Sequence, residues 1–168
     1  LCSIGENRVK EAIEKFQSLE KVPNIKKRFI GHLQSNKVKK CVGAFDTIDS
    51  IHSLKTLKKV SRECDRAKKT IEILLEVNTS KEKQKKGFQP DNLKEIITCF
   101  EVPNVDIVGL MTMAPYTKEE KVIRKSFSLL REIKEKVNKA LGKNLIKHLS
   151  MGMSNDFEIA IEEGSTQI

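Results

Sequence analysis

The chain alternates short apolar runs with longer amphipathic ones, a rhythm that predicts strands alternating with helices. Arg28-Phe29-Ile30-Gly31-His32-Leu33 reads as a strand, followed by a polar-started helix from Ser35. Thr47 to Ser53 gives the next strand, and a helix carried by Leu54, Leu57 and Val60 runs to about Ala67. Thr70 to Asn78 is nearly continuous in apolar residues, as a strand buried on both faces should be. Pro90 and Asp91 then open a helix containing Leu93, Ile96, Ile97 and Phe100. Val105 to Met113 is another strand, Lys118 to Leu141 another helix, Leu145 to Leu149 a strand, and a last helix follows Asn155. Leu1 to Gly5 reads as a strand at the start, and Thr166-Gln167-Ile168 as the beginning of one at the end.

Strands alternating with helices imply βαβ units and a parallel sheet, either a closed barrel or an open doubly wound one. Polar residues stand at the strand ends: Asn36, Ser50, Asn78, Thr112, Ser150 and Ser154. In a (β/α)8 barrel such positions form the C-terminal rim where sites are built, whereas an open sheet converges only at its switch point. Many separate polar strand ends suit the barrel. A full barrel takes eight strands and usually about 200 residues or more, and the chain has 168. No Pro/Gly/Ser-rich linker divides it. The expectation is an α/β, TIM-type (β/α)8 barrel, one domain over residues 1–168, present here as an incomplete piece.

The stretch from Leu149 to Ile161 carries the most specific chemistry. An apolar strand leads into Ser150-Met151-Gly152-Met153-Ser154-Asn155-Asp156, and a helical spacing of Ile159, Ala160 and Ile161 follows. Free backbone N–H groups beside a serine hydroxyl at a helix start form an anion site, most often for phosphate. A plain N-cap would need only Ser154 or Asn155. The residues by themselves leave both readings open.

Composition narrows the classes. Hydrophobic residues are 38% and charged residues 33% of the chain, and no apolar run reaches the roughly 18 residues of a membrane span. The four cysteines, Cys2, Cys41, Cys64 and Cys99, stand far apart with no CxxC spacing, which argues against a zinc site or a disulfide framework and for reduced thiols in the cytoplasm. The net charge of +9 raises nucleic-acid binding. Against it, lysines alternate with glutamates in Lys118-Glu119-Glu120-Lys121 and Arg131-Glu132-Ile133-Lys134-Glu135-Lys136, and aromatics are only 5%. The first pattern is a solvated helix face, and the second leaves little on which bases could stack.

Several motifs coincide. Ile4-Gly5-Glu6-Asn7-Arg8-Val9-Lys10-Glu11-Ala12 opens the chain, followed by Phe29-Ile30-Gly31-His32-Leu33-Gln34-Ser35-Asn36-Lys37 and Ile48-Asp49-Ser50. Val77-Asn78, Lys86-Gly87, Gly109-Leu110-Met111-Thr112-Met113, Leu149-Ser150-Met151-Gly152-Met153-Ser154 and Gly164-Ser165-Thr166 complete the set. Together they closely resemble the pyridoxal phosphate homeostasis family, relatives of the alanine racemase N-terminal barrel. The resemblance covers essentially the whole chain.

The resemblance implies a barrel that holds pyridoxal 5′-phosphate at the C-terminal ends of its strands. It implies a carrier and regulator of vitamin B6 and of amino- and keto-acid pools without established turnover. In such proteins the SMGMS turn and a Gly-Thr pair at the last strand hold the phosphate. A lysine near the end of the first strand holds the aldehyde, and an arginine on the last strand approaches the pyridine nitrogen. Both of those strands are expected to lie outside these residues, before Leu1 and beyond Ile168. No lysine present matches the family's aldehyde position; Lys10 and Lys37 fall in helical segments after strand ends and read as surface lysines.

The resemblance assigns the phosphate first to Ser154, which would also cap the helix beginning at Asn155, and then to Ser150. Met151 would pack softly on a flat ring or serve as filler, and Gly152 would permit close backbone approach to the cofactor. Asn7 lies where it could reach the ring oxygen or the family's lysine, or cap the helix at Arg8. His32 would point to the rim or bond a neighbouring backbone group. Asn78 ends the most buried strand, at the cofactor face or orienting another side chain. An amino-acid racemase is the alternative function. Racemisation needs a base on the second face of the ring, typically a tyrosine from another domain, and Tyr116 is the chain's only tyrosine. A monomer binding a small-molecule cofactor, with no nucleic-acid or membrane partner, is expected in the cytoplasm, or in mitochondria if the source is a eukaryote.

Overall fold

The computed structural model describes residues 3–18, 24–82 and 84–168. Leu1 and Cys2, part of the expected first strand, lie outside the described residues. The order is β1 (Ser3–Glu6), α1 (Val9–Ser18), β2 (Lys26–Phe29), a 3-10 turn (Ser35–Lys37) running into α2 (Val38–Ala44), β3 (Thr47–Ile51) and α3 (Leu54–Arg66). There follow β4 (Ile71–Glu76), α4 (Leu93–Cys99), β5 (Val105–Met111), α5 (Glu120–Leu141), β6 (His148–Ser150) and α6 (Phe157–Glu162). The six strands form one sheet in sequential order, every neighbouring pair parallel. Gln167 adds a parallel bridge to Ser150, where the sequence predicts a further strand to begin.

The sheet is curled, as one contact demonstrates. Arg28 of β2 donates from Nη2 to Gln167 Oε1 at 2.9 Å. Gln167 stands five strand spacings away along the sheet, roughly 24 Å if the sheet were flat. A hydrogen bond between them requires the sheet to wrap into the greater part of a barrel. This is the predicted architecture, open between β1 and the Gln167 segment.

Two faces follow from the curl. Ile48, Ile73, Leu75, Leu110 and Leu149 point outward and pack with Leu57, Val60, Ile96, Phe127 and Leu130 of the helices in one continuous apolar cluster. Leu74 and Met111 are buried but stand outside that cluster, on the concave side. Charge also occupies the concave side. Arg28 binds Asp49 in a two-pronged pair, Nε to Oδ2 at 2.8 Å and Nη2 to Oδ1 at 3.3 Å, and Thr47 Oγ1 donates to Asp49 Oδ1 at 2.9 Å. Lys26 reaches Glu72 at 2.6 Å. Burial pushes the Asp49 carboxyl up from its ordinary range, while the Arg28 charge and bonds pull it back down.

Several boundaries differ from expectation. β2 ends at Phe29 rather than Leu33 because Gly31 turns onto the preceding strand end; a Cβ on Gly31 would lie 2.1 Å from the Asn7 carbonyl oxygen. Leu33 is still 1% exposed, since the loop itself feeds the core. The helix expected to open at Pro90 and Asp91 starts at Leu93, capped by Asn92 Oδ1 accepting from Glu95 N–H at 3.3 Å. Among the described helices none is long and apolar enough to cross a membrane.

Candidate functional site

The turn after β6 is built from both its ends. Met151 N–H donates to Gln167 O at 3.1 Å, and Ser165 Oγ donates to Met151 O at 2.7 Å. Gly152 then takes φ of +103°, with α6 so close that an added Cβ would lie 2.7 Å from Ala160 Cβ. Met153 N–H donates to Asp156 Oδ1 at 2.6 Å, while Met153 O accepts from the N–H groups of Asp156 and Phe157 at 3.0 and 2.9 Å. The helix therefore starts at Phe157 with Asp156 at its N-cap, a correction to the expected start at Asn155 capped by Ser154. Asp156 is buried and reaches back along the turn, which frees the Ser154 hydroxyl from capping.

The backbone N–H groups of Gly152, Ser154 and Asn155 donate to no partner among the described residues. Ser154 and Asn155 are exposed, and Ser150, on the concave side of the last strand, is half-buried. Three free donors and a hydroxyl within six residues match the chemistry of a phosphate group. Met151 is 2% exposed in the main apolar cluster, so its backbone rather than its side chain faces the turn. Glu163, at the end of α6, holds Arg124 at 3.0 Å and Arg131 at 2.8 Å, both from α5. These pairs clamp the turn's outgoing helix against the longest helix of the fold.

Across the rim, the loop after β4 spans the mouth. Asn78 Nδ2 donates to Glu82 O and Lys85 O at 2.9 and 3.3 Å, and its Oδ1 accepts from Ser80 Oγ at 3.0 Å. Lys85 Nζ donates to Ala114 O at 3.0 Å on the β5 side. Lys86 Nζ donates to His32 Nε2 at 2.7 Å on the β2 side. The His32 and His52 rings lie 4.7 Å apart. Asn7 is exposed at the end of β1 beside Gly31. The fold thus places Asn7 and His32 at one side of the opening, Asn78 beneath the loop, and Ser150 to Ser154 at the strand facing them around the curl. Lys86, His52 and buried Glu76 also belong to this rim; a lysine beside glycine was the one sequence cue for the first, and nothing marked the other two.

Electrostatics at the mouth are set by burial and Lys86. Burial lowers the pKa of His32 from its ordinary 6.5, and the Lys86 charge lowers it further. His52 is lowered by burial and then by His32 and Lys86, with hydrogen bonding toward the Ser50 backbone opposing. Burial raises Glu76, and Lys86 opposes that shift. A histidine with a depressed folded pKa takes up its proton first in the unfolded chain, so its contribution to stability is full above the ordinary 6.5 and is lost as pH falls below it toward the lowered folded values. The raised carboxyls of Glu76 and Asp49 act in the opposite sense, so the histidine contribution is read as a difference: the melting temperature of wild type minus that of His52→Gln should fall as pH drops from about 7.5 to about 5.5.

Comparison with known proteins bears on this site. The family model for alanine racemase, N-terminal domain, matches residues 2–166. The chain is 39% identical over 163 residues to the pyridoxal phosphate homeostasis protein of Aquifex aeolicus, covering 96% of this chain and 71% of that protein. It is 33% identical over 177 residues to the human protein of the same name, covering 99% of this chain and 64% of that one. Among solved structures, PipY of Synechococcus elongatus with PLP bound superposes with a TM-score of 0.88 at 31% identity, over 98% of this chain and 76% of that one.

Proposed function

Because the chain belongs to the alanine racemase N-terminal domain family, we propose that it binds pyridoxal 5′-phosphate at the rim of its barrel and serves in homeostasis of that cofactor and of amino- and keto-acid pools. The observation that carries the reading is the turn after β6. Its three free N–H groups and the Ser154 hydroxyl fit a phosphate, and Gly152 takes a backbone conformation open to few other residues.

In this reading Ser154, with the N–H groups of Gly152 and Asn155, holds the phosphate. Ser150 and the Met151 backbone fix the base of the turn. Asn7 and His32 face the ring from the opposite side of the mouth, with His32 biased toward its neutral form by burial and then by Lys86. Asn78 acts indirectly, since its side-chain bonds are spent shaping the loop that carries Lys85 and Lys86. When bound, the cofactor supplies an aldehyde that captures amines and a ring that withdraws electrons.

The protein carries the cofactor rather than turning over amino acids. Proton transfer on both faces of the ring needs a second positioned base, and the one tyrosine of these 168 residues, Tyr116, is 96% exposed in the loop after β5 rather than aimed at the mouth. The full-length protein supplied with cofactor is expected to show no exchange of the alanine α-proton with deuterated water by NMR. Exchange above the rate of free cofactor would instead favour a racemase-like enzyme.

A further inference from the structure

A cavity of about 590 Å³ lies beside the barrel mouth, with which it shares Asn7 and His32, between the first turns of α1 and the segment that runs from the 3-10 turn into α2. Its walls bring together cations from two elements: Arg8 and Lys10 from the start of α1, and Lys37 and Lys40 from the start of α2. Only Glu14 opposes them within the lining. Arg8 is engaged with Glu11 at 2.8 Å, whereas Lys10, Lys37 and Lys40 form no ion pair among the described residues. The floor is apolar, with Ile13 36% exposed above buried Phe29.

Cations gathered in a concave, apolar-floored pocket focus a positive field that a bound anion would offset. Arg8 and Lys10 also sit at the N-terminal end of the ten-residue α1, where the helix dipole disfavours positive charge and favours an anion. Three uncommitted lysines call for more than one negative charge. A volume inside the usual 300–1,000 Å³ of ligand pockets calls for a body larger than a bare ion. We infer that this cavity is a second small-molecule site, taking a phosphorylated ligand of nucleotide size with its phosphates toward Lys10, Lys37 and Lys40 and its ring toward Ile13. The site adjoins the cofactor mouth through Asn7 and His32 but draws its charge from lysines that the cofactor reading does not use.

Calorimetric titration of the full-length protein with ADP, adenosine, inorganic phosphate and pyridoxal 5′-phosphate tests this. ADP is expected to bind one to one, more tightly than adenosine or inorganic phosphate, and more weakly as salt rises. Lys37→Glu should weaken ADP about tenfold, and adding Lys40→Glu should weaken it further. Both variants should keep their pyridoxal 5′-phosphate affinity. Absence of ADP binding, ADP binding that survives the double substitution, equal binding of inorganic phosphate, or displacement of ADP by pyridoxal 5′-phosphate would overturn the inference. A failure of pyridoxal 5′-phosphate alone to bind would count against the cofactor reading and leave this one standing.

Discussion

Asp49→Ala should lower the melting temperature by about 10 °C, the largest effect expected of any single side-chain truncation on the concave face. Asp49 is 3% exposed in its side chain and Arg28 12%, and their two-pronged contact is joined by Thr47 and Gln167. Removing the carboxylate strands the guanidinium where its side chain is 12% exposed. Breaking a buried pair in this way costs about 3–5 kcal/mol, far more than the pair itself contributes against an apolar replacement. For a chain of this length each kcal/mol moves the melting point by about 2–4 °C. Asp49→Asn keeps an acceptor for Arg28 and Thr47 and should fall between wild type and Asp49→Ala. A loss under about 3 °C for Asp49→Ala would mean that water reaches Arg28 and that the barrel interior is wetter than the curl implies.

The second large effect is at Gly152, where two separate costs add. A side chain must adopt φ of +103°, and its Cβ must stand 2.7 Å from Ala160 Cβ. The backbone cost is about 1–3 kcal/mol, and crowding α6 costs about 1–3 kcal/mol more. Gly152→Ala should therefore destabilise the protein by about 2–6 kcal/mol and displace the N–H groups on which phosphate binding depends. The two costs separate in a double mutant. Adding Ala160→Gly should restore the crowding part and leave the backbone part, so recovery should be partial. Full recovery would show that φ at this position carries no strain, and no recovery that α6 does not press on the turn.

The outward face of the sheet was legible from sequence because it obeys simple burial. Ile71, Ile73 and Leu75 of β4, and Leu57 and Val60 of α3, lie where their spacing puts them. The concave face was not legible. Arg28 opens the expected strand without any local sign of a partner, yet it is inward, paired with Asp49 of the next strand and bonded across the curl to Gln167. Charge that is satisfied across a barrel leaves no local pattern to read. Strand ends were overextended for a related reason: Ile30 and Leu33 continue the apolar run after the ladder has stopped, and Leu33 is buried from a loop.

At the site, the SMGMS segment and Asn7, His32 and Asn78 were visible as motifs, but the capping geometry was not. Ser154, Asn155 and Asp156 are all good N-caps by type. Asp156 takes the N-cap position without a side-chain capping bond, its carboxylate instead reaching back to Met153 N–H across the Gly152 bend, a contact no local preference announces. Lys86 was inconspicuous among so many lysines until the loop after β4 placed it against His32.

The central claim is that the turn after β6 holds the phosphate of pyridoxal 5′-phosphate. Its most direct test is titration of the full-length protein with pyridoxal 5′-phosphate and with pyridoxal, in wild type and in Ser154→Ala. Wild type is expected to prefer the phosphorylated form by about 100-fold or more, and Ser154→Ala to lose about tenfold of that preference while its affinity for pyridoxal stays unchanged. Equal affinity of wild type for the two compounds, or a Ser154→Ala loss shared equally by both, would contradict it.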